Sequence, residues 1–138
     1  MKIELINTEA EQIVEQLVAG VRSFNHEHMG DETSKPLTVV IKDDKDNVIA
    51  GLAGRTIYNK FLINVLWVDE KLRGEGLGYK LMDLAESEAR KRGCRAAQVD
   101  TLAFQASDFY QKNGFTIIGT VPGYQGCPEQ YFLFKDYD

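Results

Sequence analysis

The chain has 138 residues, 43% of them apolar and 27% charged, which suits one globular domain spanning residues 1–138 and excludes a disordered chain. Sixteen basic and twenty-one acidic residues leave a net charge of −5. That balance argues against a general nucleic-acid binder, and an anion site here must concentrate its positive potential locally. Two cysteines, Cys94 and Cys127, are too few for a disulfide framework or a four-cysteine zinc site. No run approaches the ~18 apolar residues of a membrane span, and Met1–Ile6 carries acid without a long apolar core. A cytoplasmic protein with no membrane partner is the expectation.

In chain order, Ile3–Ile6 reads as a short strand. Thr8 and Glu11 have capping-box spacing ahead of Ile13, Val14, Leu17, Val18 and Val21, an amphipathic helix stripe. Gly20 is expected to break that helix, with Ser23–Met29 forming a second. Leu37–Ile41 and Val48–Gly54 flank the charged turn Asp43–Asn47 and read as an antiparallel hairpin. The turn lacks the spaced acids, Gly and terminal Glu of a calcium loop, so a solvated turn is expected. Phe61–Val68 is the most strand-like run. Asp69–Arg73 is a charged loop, and Leu77, Leu81, Leu84, Ala85 and Ala89 mark a helix ending at Arg90-Lys91-Arg92-Gly93. Ala96–Leu102 is a strand, Ala106–Asn113 a short helix, Phe115–Val121 a strand, Pro122–Pro128 a loop and Tyr131–Phe134 a last strand. The fold class is α/β (α+β): a mixed, mostly antiparallel sheet with flanking helices around a parallel, right-handed β-α-β core.

Arg73-Gly74-Glu75-Gly76-Leu77-Gly78 lies between a strand and a helix. Each glycine inside the helix start costs ~1 kcal/mol, so some other need must place it there. Glycine allows positive φ and close approach of a ligand, and a helix N-terminus offers unpaired N–H groups and partial positive charge. Together these make a phosphate cradle, with Lys71, Arg73 and Lys80 adding charge. A turn that merely permits tight helix–strand packing is the alternative. A Walker loop is absent, and the dinucleotide fingerprint fails because Tyr79 holds its last glycine position.

Arg73-x-x-Gly76-x-Gly78 resembles motif A of the GCN5-related N-acetyltransferase (GNAT) superfamily, and Leu66-Trp67-Val68-Asp69 resembles the strand leading into it. Phe109-Tyr110-Gln111-Lys112-Asn113-Gly114-Phe115 is similar to a second motif of that family, one β-α-β unit downstream. The resemblance covers nearly the whole chain. It implies that backbone N–H groups across Arg73, Gly74, Glu75, Gly76, Leu77, Gly78 and Tyr79 hold the pyrophosphate of acetyl-CoA. It also implies that Leu66, Trp67 and Val68 lie beside the pantetheine arm, on a strand that bulges and splays from the next. An N–H near Val68 then faces the thioester carbonyl oxygen.

By the same resemblance Tyr110 lies near the CoA sulfur. At ordinary pKa values, a tyrosine near 10 and a thiol near 8.5, proton transfer to the thiolate is uphill by ~1.5 units, so hydrogen bonding is its main expected role. A core aromatic is the alternative. The family's Asn seven residues before this tyrosine is Ala103 here, and Gln105 is a candidate replacement. Freeing the lone pair of an alkyl amine at pH 7 costs ~4.6 kcal/mol, so a carboxylate or His must help, directly or through water, or the amine must be weakly basic. His26, His28, Asp100 and Glu129 are the candidates, and Asp100, at a strand end beside the slot, is the best placed. A cap or loop hydrogen-bonder is its alternative role. His26-x-His28 lacks a third ligand, so no metal is expected. Cys127 lacks a neighbouring histidine to activate it, and Cys94 reads as a small buried hydrophobe.

The resemblance therefore implies an acetyl-CoA-dependent N-acetyltransferase in which a primary amine attacks the thioester directly in a ternary complex. The acceptor is a small-molecule or peptide amine, and the acidic surface favours a cation. A CoA-binding sensor or partner-binding module without turnover is the alternative. A longer acyl chain or a hydroxyl acceptor is a third reading. A homodimer is possible through pairing of the aromatic strand Tyr131–Phe134.

Overall fold

The structure, a computed structural model, describes residues 1–138. Two compact units emerge, Met1–Thr33 and Ser34–Asp138. In the first, α1 runs unbroken from Glu11 to Met29. The expected break at Gly20 is absent: one glycine costs ~1 kcal/mol, less than abandoning a long helix on either side of it. The capping box does not form either. Ala10 is the N-cap residue, with no side-chain cap bond, two positions beyond Thr8. The strand expected at Ile3–Ile6 is also not formed, because a strand needs a neighbour to satisfy its ladder and this segment has none. His26 Nδ1 lies 3.0 Å from an Asp31 carboxylate oxygen, and His28 Nδ1 lies 3.0 Å from the Phe24 carbonyl. The two histidines thus have separate local partners.

The second unit is a six-stranded sheet. Its strands are β1 (Lys35–Lys42), β2 (Val48–Ile57), β3 (Lys60–Val68), β4 (Ala96–Leu102), β5 (Thr116–Val121) and β6 (Gln130–Asp136), in the order β1-β2-β3-β4-β6-β5. Only β3 and β4 pair in parallel, joined through α2 (Leu77–Lys91) as the β-α-β reading requires. The short helix α3 (Ser107–Lys112) links β4 to β5. The Asp43 carboxylate closes the first hairpin by accepting from the N–H groups of Lys45 and Asn47, each at 2.9 Å. Tyr58 and Asn59 close the second with φ of 54° and 59°, the primed turn that matches strand twist. Between β6 and its neighbours no edge is free, since β6 lies between β4 and β5. The aromatic strand therefore cannot pair across a dimer, and the sheet edges are β1 and β5 instead.

The core lies on one sheet face. Leu52, Phe61, Leu133 and, from α2, Leu81, Met82, Ala85 and Ala89 are all at most 1% exposed. Burying each large side chain contributes ~1.5–3 kcal/mol, and the two alanines let α2 sit close to the strands. Gly93, at φ 90°, ends α2, and the Cys94 N–H returns to the Ala89 carbonyl at 3.0 Å. Two clips fix the helix on the sheet. Arg92 Nη1 donates to the Pro36 carbonyl at 3.0 Å and to Thr56 Oγ1 at 3.2 Å. Lys135 Nζ meets the buried Glu86 carboxylate at 2.8 Å. No helix is long and apolar enough to cross a membrane.

Candidate active site

Register decides where the sheet opens. On one side, β3 stays paired with β2 as far as Val68. On the other, β4 stays paired with β6 as far as Leu102. Between them, parallel pairing covers only Lys60–Leu62 against Ala96–Gln98. Beyond Leu62 and Gln98 the two strands part into a fork. A bulge helps to turn β3 away: Ala53 faces Val65 and Gly54 faces Ile63, so Asn64 is the extra residue. Gly54 is required there, because a Cβ would run into the Leu62 carbonyl oxygen and come within 3.0 Å of the Ile63 Cα.

At the open end of the fork β3 leads into a 3₁₀ turn, Glu70–Leu72, whose N–H of Lys71 is capped by the Asp69 carboxylate at 3.0 Å. Arg73 Nε donates back to the Val68 carbonyl at 3.1 Å, tying the Gly-rich loop to the strand end. Gly74 and Gly76 have φ of 87° and 78° with open space where a Cβ would point. Gly76 is the N-cap of α2 and supplies no side-chain cap, and the first turn of α2 carries no acid. The Lys80 N–H reaches the Gly76 carbonyl at 3.2 Å, leaving the N–H groups of Leu77, Gly78 and Tyr79 without helical partners. An uncapped helix head with no acid in its first turn, beside Lys71, Arg73 and Lys80, suits an anion. Gly78 has a different job: a Cβ on it would lie 2.9 Å from the Phe109 ring. The packing explanation of the glycines therefore applies to the third, while the first two shape the loop.

A cleft of about 650 Å³ joins the loop to the fork. Leu66, Trp67, Val68, Arg73, Gly74, Gly76, Leu77, Gly78 and Tyr79 line it, and Glu75 does not. Its far wall is Phe104, Gln105, Ala106 and Phe109. Phe104 is 72% exposed, and an exposed aromatic just beyond a strand's carboxyl end was the available signal for it. The Gln105 amide oxygen accepts from the Leu102 N–H at 2.8 Å, so this side chain is pinned to the end of β4.

Tyr110 is 4% exposed, with its ring packed against Phe109 and Phe115, and it does not line that cleft. Burial pushes its phenol up to about 12, and the nearby charge of Asp100 adds to the rise. The Asp100 carboxylate Oδ2 accepts from Gln130 Nε2 at 2.6 Å. Asp100 lines a second, smaller cleft at the apex of the fork. Glu129 is exposed on the loop before β6, and its carbonyl accepts from the Ala103 N–H at 2.8 Å. Cys127 is also exposed there, in a tight turn where Tyr124 and Cys127 exchange backbone hydrogen bonds at 2.9 Å.

Residues 34–117 match the model of the acetyltransferase (GNAT) domain. The chain belongs to the GNAT superfamily. It is 36% identical over 119 residues to an acetyltransferase of Agrobacterium fabrum, covering 86% of this chain and 84% of the relative. It is 35% identical over 94 residues to the blasticidin-S acetyltransferase of Streptomyces morookaense, covering 67% and 69%. A crystal structure from Agrobacterium tumefaciens, assigned as an acetyltransferase, superposes with a TM-score of 0.91 at 30% identity over 99% of both chains. The mixed sheet, with its single parallel pair, is the fold of this GNAT enzyme, and acetyl transfer is its chemistry.

Proposed function

We propose that this GNAT enzyme, acting as one domain over residues 1–138, transfers acetyl from acetyl-CoA directly to a primary amine in a ternary complex. The observation that carries the reading is the continuity of an uncapped helix head, a cleft and a strand fork. The pyrophosphate sits on the N–H groups from Gly74 to Tyr79, and Lys71, Arg73 and Lys80 offset its charge. The arm runs along Leu66–Val68, whose edge toward β4 has no strand to pair with and offers backbone groups to an amide-bearing chain. A backbone N–H at that strand end faces the thioester oxygen as charge develops on it.

In the reaction the amine nitrogen forms a bond to the carbonyl carbon, the carbon–sulfur bond breaks and CoA leaves as thiolate. The proton lost by the amine goes to Asp100, directly or through water. Tyr110 steadies the leaving thiolate by hydrogen bonding. With its phenol at about 12, full proton transfer to a thiol near 8.5 is uphill by ~3.5 units, or ~5 kcal/mol. The relative from Streptomyces morookaense acts on blasticidin S by its name, which supports a small-molecule acceptor. A screen of primary amines with acetyl-CoA, read by release of CoA thiol, tests the proposal. Amine-dependent thiol release is expected. Tight CoA binding with no release across the panel would instead leave a binding module without turnover.

A further inference from the structure

The fork has two openings, and acetyl-CoA accounts for only one. Its apex holds a second cleft of about 240 Å³, below the ~300–1,000 Å³ of sites that enclose drug-sized ligands. It takes a small molecule, or one end of a larger one. Leu62, Ile118 and Phe132 give it apolar walls, and Asn64, Gln98 and Asp100 give it polar groups. Two of the apolar walls are open to approach: Ile118 is 66% and Phe132 42% exposed. Ile118 reaches the cleft because β5 is irregular between Ile117 and Gly119 where it pairs with β6. Asn64 faces it as the extra residue of the β3 bulge, level with Asp100 across the fork.

The electrostatics are one-sided. Asp100 is the single ionisable side chain in the lining. Gln130 holds its Oδ2 at 2.6 Å, which fixes the carboxylate plane and presents Oδ1 to an incoming group. Two cations flank the closed end of the fork without joining the lining: Lys60, whose Nζ donates to Gln98 Oε1 at 3.4 Å, and Arg55, which pairs with Leu62 from β2. Among the lining side chains a cation therefore gains a partner, while an anion meets a carboxylate.

We propose that the apex cleft receives the acceptor and selects amines carried on an apolar or aromatic body with no carboxylate beside the nitrogen. This rests on the acetyltransferase reading and narrows it to decarboxylated amines over α-amino acids. Gln130 is a positioning residue in this scheme, acting only through Asp100.

Phenethylamine and L-phenylalanine share one aromatic body and differ by a carboxylate, so they test the selection directly. Acetylation is measured as kcat/KM with acetyl-CoA, and binding of each is measured calorimetrically to protein saturated with CoA. Phenethylamine is expected to be favoured at least about tenfold in both. Asp100→Asn, at an exposed position that leaves the fold intact, should shrink the binding preference toward unity. Phe132→Ala should weaken phenethylamine while leaving the affinity for CoA unchanged. Gln130→Leu should raise KM for the amine, and Gln130→Asn should not restore it because the shorter side chain falls short of Asp100. Phenylalanine used as well as phenethylamine, or failure of both to bind the CoA-loaded protein, overturns the proposal. Failure to bind CoA overturns the acetyltransferase reading instead, and phenethylamine binding to the CoA-free protein then still reads the cleft.

Discussion

The head of α2 and the fork between β3 and β4 meet in one cleft but are made of different parts. At the helix head the proposed binding groups are backbone N–H vectors, set by Gly74 and Gly76 at positive φ and by the absence of a side-chain cap. At the fork the proposed groups are side chains: Asp100 of β4, hydrogen-bonded by Gln130 of β6, and Tyr110 of α3, which feels the charge of Asp100. A backbone site recognises phosphate whatever it is attached to. A side-chain site discriminates between acceptors and can change its choice by one substitution. Variants in the two regions should therefore fail in different ways.

The largest effect should come from the fork. Asp100→Ala removes the proposed base, and kcat/KM for the amine should fall about 10²-fold or more. Calorimetric affinity for acetyl-CoA should stay at the wild-type value. A variant whose turnover survives intact would return Asp100 to the role of a hydrogen-bond partner for Gln130. One that lost acetyl-CoA affinity as well would erase the contrast between the two regions.

Next is the cradle. Gly76→Val places a β-branched side chain at φ 78°. No protein atom lies within 4 Å of its Cβ, so the damage comes from the backbone leaving this conformation, at ~1–2 kcal/mol, and not from a clash. The N–H vectors swing with it. Acetyl-CoA affinity should fall by ~2 kcal/mol, about thirtyfold, as for the loss of charge-assisted hydrogen bonds. A folded variant that binds CoA as well as wild type would remove the cradle assignment.

The difference between the regions also governs what could be read before the structure. The helix head is local: strand, charged loop, three glycines and an apolar stripe lie within one stretch of chain, and Leu77–Lys91 and the parallel β-α-β unit formed as expected. The fork is not local. Its apex depends on a bulge at Asn64 and on β6 inserting between β4 and β5, neither of which leaves a periodic signal. Gln130 and Phe132 became site candidates only through that insertion. The strand expected at Ile3–Ile6 failed for a related reason: a strand needs a partner for its ladder, and the segment's own residues do not name one.

A smaller effect is expected at Tyr110, where the fork meets the core. Tyr110→Phe keeps the ring against Phe109 and Phe115 and removes one hydrogen bond. A lowering of kcat by about tenfold is expected, the lower end of a hydrogen bond to a charged group, with kcat/KM falling in parallel. The substitution has a second signature. The folded value of about 12 lies above the ordinary 10.0, so the native state is favoured in full below pH 10 and loses that advantage as pH rises through 12. Denaturant titrations should show wild type losing up to about 3 kcal/mol across that range, with part of the loss absent in the variant. Identical alkaline curves would mean that the phenol is not held in its neutral form.

The smallest effect belongs to a residue that neither region uses. Cys127 is the exposed thiol of the chain and sits near the start of β6, so an acyl-cysteine route is the obvious rival to direct attack. That route needs a base to activate the thiol. Both histidines, His26 and His28, have local partners in the Asp31 carboxylate and the Phe24 carbonyl. Within the loop, Cys127 Sγ has the Pro128 carbonyl at 3.8 Å, an acceptor that cannot take up a proton. Its backbone, not its sulfur, holds the turn through the paired bonds with Tyr124, and alanine preserves those. Cys127→Ala should therefore leave kcat and both KM values within about twofold of wild type, in line with the small effects of exposed substitutions. Intact-mass measurement after mixing enzyme with acetyl-CoA alone should show no acetyl adduct. A stoichiometric adduct on Cys127 that discharges when amine is added would replace direct attack with a two-step transfer. It would also move the first step out of the fork, so that Asp100→Ala should then spare that step and slow only the transfer to the amine.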